Sequence, residues 1–262
     1  MSFTIRSNIA SLNAQRNLFN TNTMQADSFS KLSSGFRITK AGDDAAGLGI
    51  SSNLQAQVRS FNQANRNAQD AQSLIQTAEG NLNQTTELLT RMRELAMQSA
   101  SSGVGNSERG YIQTENSALI TEITRIANAA EYNGTALLNS ATSLTFQVGI
   151  RDVAANDRIA VTTVDATAAT LGVDALDFST QAGSQAALAT IDAALNTVSS
   201  SRATFGAAGN RLASVVQTIQ SSSESLAAAN SRIRDVDVAE ETSKLARTQV
   251  MQQAGVSVLA QA

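Results

Sequence analysis

The chain has 262 residues, a formal net charge of −3, only 4% aromatic residues, and no His, Cys, Pro or Trp. Without Cys there is neither disulfide nor thiolate chemistry, and without His the usual acid–base group near neutral pH is missing, so composition argues against an enzyme. Interspersed charges of both signs leave no basic face for nucleic acid and no polybasic tether for a membrane.

Small side chains dominate, which favours thin packing between helices over a deep core, and no Pro forces a kink in any helix. Met1-Ser2-Phe3-Thr4-Ile5-Arg6 lacks the charged and apolar regions of a cleaved signal peptide. No apolar run is long enough to span a membrane.

In chain order, Ile5, Ile9, Leu12, Phe19, Ala26, Phe29 and Leu32 form a sparse helical stripe. A helix with so little apolar surface is marginal alone and is expected to order against another helix or another copy. Ser33-Ser34-Gly35 ends it, with Gly35 as a left-handed cap. Asp43-Asp44 precedes the next helix, where adjacent carboxylates suit an N-cap better than a metal site, since no His or second acidic cluster completes one. Gly47 and Gly49 weaken the first turn and make this junction a candidate hinge.

From Leu54 to Ala96, steps of three and four residues read Leu54, Gln57, Phe61, Ala64, Ala68, Ala71, Ile75, Ala78, Leu82, Thr85, Leu89, Met92 and Ala96. A seam holding a 3.5-residue spacing over such a length, roughly 64 Å of helix, requires a partner helix of similar length. Ser101 to Ser107 breaks the helix. A second helix carries Ile112, Leu119, Ile123, Ile126 and Ala130 on one face, and Tyr132-Asn133-Gly134-Thr135 is a tight turn.

Beyond Leu144 the period becomes two, and Leu144 to Ile150 with Ile159 to Val164 predict a β-hairpin, the one convincing β element. Asp165 to Gly183 reads as polar and irregular. The partner seam follows as Leu188, Ile191, Leu195, Val198, Arg202, Phe205, Gly209, Leu212, Val216, Ile219, Ser223, Leu226, Asn230 and Ile233. A weak amphipathic tail with Val238, Leu245, Val250, Met251, Ala254, Val258 and Leu259 resembles the first segment in character. Its acidic residues Asp235, Asp237, Glu240 and Glu241 suit a helix N-terminus or a solvated face better than a metal site.

The expected fold is mainly α: a long antiparallel helical bundle or coiled coil with one small β-hairpin, plus paired terminal helices forming a second coiled coil. The expected domains are 1–42 and 235–262, two halves of an inner coiled coil, and 43–234, a helical rod with its hairpin near 143–164. The expected rod core is Leu54, Phe61, Ile75, Leu82, Leu89, Leu195, Phe205, Leu212, Ile219 and Leu226. The terminal residues expected to drive assembly are Ile5, Ile9, Leu12, Phe19, Leu32, Leu245, Val250, Val258 and Leu259. No cofactor, metal or catalytic residue is expected.

Several stretches closely resemble bacterial flagellin, in order and through essentially the whole chain. They are Phe3-Thr4-Ile5-Arg6-Ser7-Asn8-Ile9-Ala10-Ser11-Leu12-Asn13-Ala14, Lys31-Leu32-Ser33-Ser34-Gly35, Gly42-Asp43-Asp44-Ala45-Ala46-Gly47-Leu48, Arg93-Glu94-Leu95-Ala96, Glu131-Tyr132-Asn133-Gly134 and Gln252-Gln253-Ala254-Gly255-Val256-Ser257-Val258-Leu259-Ala260-Gln261-Ala262. The resemblance implies a minimal filament subunit without outer variable domains. Such a subunit is exported without a cleaved signal peptide, polymerises with itself for motility, and is extracellular in the bacterial flagellum.

The implied partners are other copies, the export apparatus, an export chaperone and the cap and junction proteins. Toll-like receptor 5, an innate immune receptor, is a further implied partner, through Arg91, Leu95 and Glu115 with Arg93 in support. The chain ends at Ala262 inside a helical pattern where the family usually continues to terminal leucines, so either the sequence is shortened or this member is unusual. The alternative is a hook–filament junction protein, which resembles flagellin at both ends.

Overall fold

The computed structural model describes residues 8–261, so Ile5 lies outside the described residues. The elements are α1 (Ile9–Ser34), α2 (Ala45–Ser99), α3 (Asn106–Ala129), β1 (Glu131–Tyr132), β2 (Thr135–Ala136), β3 (Ser143–Gln147), α4 (Ala154–Asp157), β4 (Arg158–Thr162), α5 (Gln181–Arg234) and α6 (Val238–Gln261). The fold is mainly α, with two very long helices and two small two-stranded sheets. No described helix is long and apolar enough to cross a membrane. The chain divides into two compact units, residues 1–59 with 223–262, and residues 60–222. The division falls inside α2 and α5, whereas positions 42 and 235 lie in the connectors between α1 and α2 and between α5 and α6.

In the second unit the seam of α2 is buried from Ala64 to Ala96, and Thr85 sits within it with its hydroxyl donated to the Asn81 carbonyl of its own helix. The polar seam position is thereby satisfied without a partner helix. Opposite lie Ile191, Val198, Phe205, Leu212 and Ile219 of α5, all buried. Arg93 pairs with Asp192, Arg202 with Glu79, and Gly209 approaches Ile75, so positions rise along α2 as they fall along α5. That ordering makes the two helices antiparallel. Ile75, Leu82, Leu89, Phe205, Leu212 and Ile219 are buried, while Phe61 and Leu195 pack half-buried against them. Leu54 and Leu226 are half-buried and belong to the first unit.

A second covered row on α2, buried Leu74 and Leu95 with half-buried Leu88, has no counterpart in the periodic reading. α2 contacts α3 and the later loop as well as α5, so more than one stripe is covered. The C-terminal carbonyls of α2, which lack helical partners, are taken up by other elements. Arg109 donates to Ser99 O at 2.9 Å and Ser101 O at 2.8 Å, and Gln181 donates to Ala100 O at 3.0 Å.

The hairpin pairs Leu144 with Val161 and Phe146 with Ile159, and its connection contains the short α4. The tight turn at Asn133-Gly134 closes a second hairpin of β1 and β2, with φ of 50° and 75°. Both values are left-handed, as a type I′ turn requires, and Asn-Gly is the pair that tolerates them. Residues 163–180 are irregular in backbone, as their composition suggests, yet they bury Ala166, Ala168, Leu171, Val173 and Phe178. Polarity and Ala content hid a core segment.

In the first unit, Asp44 caps α2 by accepting the Gly47 N–H at 2.8 Å. Asp43 accepts the Thr39 N–H, the Thr39 hydroxyl and the Lys40 N–H, and these donors, the Thr39 backbone first, hold its carboxyl below the usual carboxylate range. The glycines here differ in role. A Cβ at Gly47 would meet Ile38 Cδ1 at 2.8 Å and Asp44 Cγ at 2.9 Å, whereas one at Gly49 would meet nothing within 4 Å. A Cβ at Gly47 would thus press on the ends of two side chains, one of them the Asp44 cap. Gly47→Ala is expected to displace the cap, a loss of about 1 kcal/mol that offsets its gain in helix propensity and leaves stability nearly unchanged. Gly49→Ala is expected to gain about 0.5–1 kcal/mol through helix propensity alone. A denaturant midpoint that rises for Gly49→Ala and stays nearly fixed for Gly47→Ala checks this pair.

Candidate assembly surface

α1 and α6 pair within the first unit. α1 begins behind Asn8, whose side chain accepts the Ser11 N–H at 3.1 Å, and ends at Gly35 in the left-handed conformation (φ 75°), its N–H bonded to Lys31 O. α6 is capped by Asp237, which accepts the Ala239 and Glu240 N–H groups, and Glu240 and Glu241 complement the positive end of the helix. Between the helices, Val236 N–H bonds Gly35 O and Arg37 N–H bonds Arg234 O, with the Arg234 guanidinium 4.2 Å from the centre of the Phe36 ring. Ser51 of α2 donates to Asn230 of α5 at 2.7 Å in the same unit.

The α1 face turned to α6 is Ser11, Ala14, Leu18, Thr21, Gln25, Ser28 and Leu32, spaced by threes and fours. On α6 the matching positions are Glu241, Leu245, Thr248, Gln252, Gly255 and Leu259. Leu18 lies against Gly255 and Ser28 against Glu241, so the pair is antiparallel. Among the described residues of these two helices, the buried ones are Ser28, Glu241 and Thr248, and all three are polar.

The apolar stripe is elsewhere. Ile9, Leu12, Phe19 (72% exposed), Met24 and Phe29 of α1 are open to solvent, as are Val250 (65% exposed), Met251, Val256 and Val258 of α6. Of the residues expected to drive assembly, Ile9, Leu12, Phe19, Val250 and Val258 are exposed, whereas Leu32, Leu245 and Leu259 are half-buried along the α1–α6 seam. Glu241 stands in the first turn of its helix as expected, but it is buried against α1 and does not belong to a solvated face. Of fourteen large apolar side chains exposed among the described residues, eleven belong to the first unit, and Met97, Tyr111 and Val153 are the others. Such concentration marks an interaction surface.

In the second unit the three residues implied for receptor binding part company. Arg91 and Glu115 are exposed and paired at 2.8 Å, with Glu94 also on Arg91. Arg93 reaches Asp192 instead. Leu95 is 2% exposed and belongs to the core, which corrects it as a surface contact. It follows Met92 by one helical step of three and precedes Ser99 by one of four, and both of those residues are buried, so helical spacing places it on a covered face. No group of three or more metal-binding side chains occurs among the described residues.

Residues 5–143 match the family described as the bacterial flagellin N-terminal helical region, and residues 188–262 match the bacterial flagellin C-terminal helical region. A flagellin of Bacillus subtilis is 40% identical over 293 residues, spanning 98% of this chain and 95% of the relative. A flagellar filament 33 kDa core protein of Treponema phagedenis is 40% identical over 275 residues, with the same two coverages of 98% and 95%. Among solved structures, Bacillus cereus flagellin superposes with a TM-score of 0.53 at 28% identity, covering 59% of this chain and 88% of that one.

Proposed function

The chain belongs to the bacterial flagellin family, and on that premise we propose that it is a structural subunit polymerising with its own copies into the flagellar filament. The observation that carries this reading is the outward apolar face of α1 and α6 over a polar seam. An apolar face left unused within the chain gains its stabilisation when a second copy covers it, and a repeated non-closing contact between identical subunits builds a helical filament. With so little apolar area in their own seam, the terminal helices are weakly held in the monomer and order fully on assembly.

The filament places the chain outside the cell. Passage through the export apparatus as an unfolded chain, delivered by an export chaperone, is helped by a sequence with no disulfide to reduce and no X-Pro bond to isomerise. Cap and junction proteins meet the same terminal helices at the filament's ends. Recognition by Toll-like receptor 5 uses the surface of Arg91, Glu94 and Glu115, with Leu95 supporting it from beneath.

Immunoelectron microscopy of native cells tests the role. Labelling along whole filaments is expected. Labelling confined to the hook–filament junction would replace the subunit by a junction protein, and an unlabelled flagellum would end both readings.

A further inference from the structure

Asn133-Gly134 is the one Asn-Gly pair in the chain. Such a pair carries a reaction that needs no second molecule but water. The backbone nitrogen of Gly134 attacks Cγ of the Asn133 side chain, and glycine has no Cβ to shield that nitrogen. A nitrogen–carbon bond forms, the side-chain nitrogen leaves as ammonia with the proton taken from Gly134, and a five-membered imide remains. Water then opens the imide at one carbonyl or the other. The first opening gives Asp, and the second gives isoaspartate, in which the main chain runs through the side-chain carbon. One water enters and one ammonia leaves, with nothing oxidised or reduced.

The surroundings leave the pair open. Both residues are exposed, and a Cβ built on Gly134 would meet nothing within 4 Å. What opposes the reaction is the backbone. Tyr132 pairs with Thr135 and Glu131 with Ala136, closing the turn with φ of 50° at Asn133 and 75° at Gly134. Ring closure needs ψ of Asn133 at about −120°, where the nitrogen eclipses Cβ, whereas this position of a type I′ turn holds ψ at about +30°. The nitrogen then stands nearly opposite Cβ about the Cα–C bond, out of reach of Cγ. Reaction therefore requires the hairpin to open. Just beyond it, Leu137 N–H bonds Ala130 O at 2.9 Å and Ala166 N–H bonds Leu138 O at 2.8 Å, with both leucines fully buried. The core of the second unit resists the opening.

We propose that Asn133 is a modification site, deamidated through attack by Gly134 while the chain is unfolded, and that the left-handed hairpin turn protects it once the second unit has folded. Isoaspartate adds a carbon to the backbone of a two-residue loop, so a chain modified before folding loses the Tyr132–Thr135 register beside the buried leucines. Asp at the same place puts a second carboxylate in the groove that Asn133 shares with Asp70. Under export as an unfolded chain, the time before export is the exposed period; this consequence rests on that reading, whereas the site itself does not.

The test uses the full chain, incubated folded in buffer and unfolded in guanidinium at one mildly alkaline pH. Trypsin cuts after Arg125 and Arg151, and mass spectrometry of the peptide between them reads Asn133 beside Asn139. In the unfolded chain Asn133 is expected to convert at least ten-fold faster than Asn139, which precedes Ser140, with isoaspartate among the products by enzymatic methylation. In the folded chain, conversion of Asn133 is expected to be at least ten-fold slower than in guanidinium. Gly134→Val places a branched side chain beside the nitrogen and is expected to slow the step at least ten-fold in guanidinium, where its effect on folding has no bearing. Equal rates at Asn133 and Asn139 in the unfolded chain, or an unchanged rate in Gly134→Val, would overturn the site. Equal rates at Asn133 in the folded and unfolded chains would overturn its protection by the turn.

Discussion

Phe19→Ser is expected to remove polymerisation while leaving the monomer's helix content nearly unchanged. Phe19 is 72% exposed and turned away from α6, so its loss removes little from the isolated chain. On the proposed assembly reading, the same ring is covered by a second copy in the filament. Burying a Phe side chain contributes about 1.5–3 kcal/mol, and each 1.4 kcal/mol is tenfold in an equilibrium constant, so the critical concentration should rise roughly 10- to 150-fold. Sedimentation of polymer against total protein measures this, with circular dichroism as the control. Normal polymerisation of the variant would mean that the outward stripe of α1 is not an assembly contact. A melt in which the variant loses the signal of the long helices would mean that Phe19 packs inside the chain.

Leu95→Ala is expected to destabilise the second unit by about 2–5 kcal/mol, the cost of truncating a fully buried Leu. Its side chain is 2% exposed in the core that α2, α3 and α5 share. Arg91→Ala, at an exposed ion pair with Glu115, is expected to cost under about 1 kcal/mol. Denaturant unfolding separates the two. The distinction bears on receptor recognition: loss of signalling in Leu95→Ala would follow loss of folding, whereas loss in Arg91→Ala with stability kept would report contact. A Leu95→Ala chain as stable as the original would contradict its place in the core.

The long helices were legible because their signal is redundant. From Ala64 to Ala96 every seam position of α2 is apolar or a Thr bonded to its own backbone, and a one-residue error in register would still leave the repeat visible. The hairpin was legible for the same reason, since Leu144, Phe146, Ile159 and Val161 alternate. Gly35 and Asp44 were legible because a cap is a local arrangement, set by residues within a turn of one another.

Three features escaped. Residues 163–180 bury Leu171, Val173 and Phe178 without any period, because an irregular backbone imposes none. The second buried row of α2, Leu95 included, depends on how many neighbours cover that helix, which periodicity along one strip of sequence does not count. The orientation of α1 and α6 escaped for the most instructive reason. Apolar periodicity says which side chains seek cover but not whether the cover comes from the same chain.

By itself, the sequence determined the helical class, the two long seams, the caps and hairpin, and the resemblance that led to the family. Each of these is written in residues close together or in a repeat long enough to average out exceptions. Only the tertiary structure decided that Ser28 and Glu241, 213 positions apart, meet inside the terminal pair while Phe19 and Val250 remain outside. A pairing between residues so far apart leaves no local or periodic trace in the sequence, and it exists only once the two ends of the chain lie together.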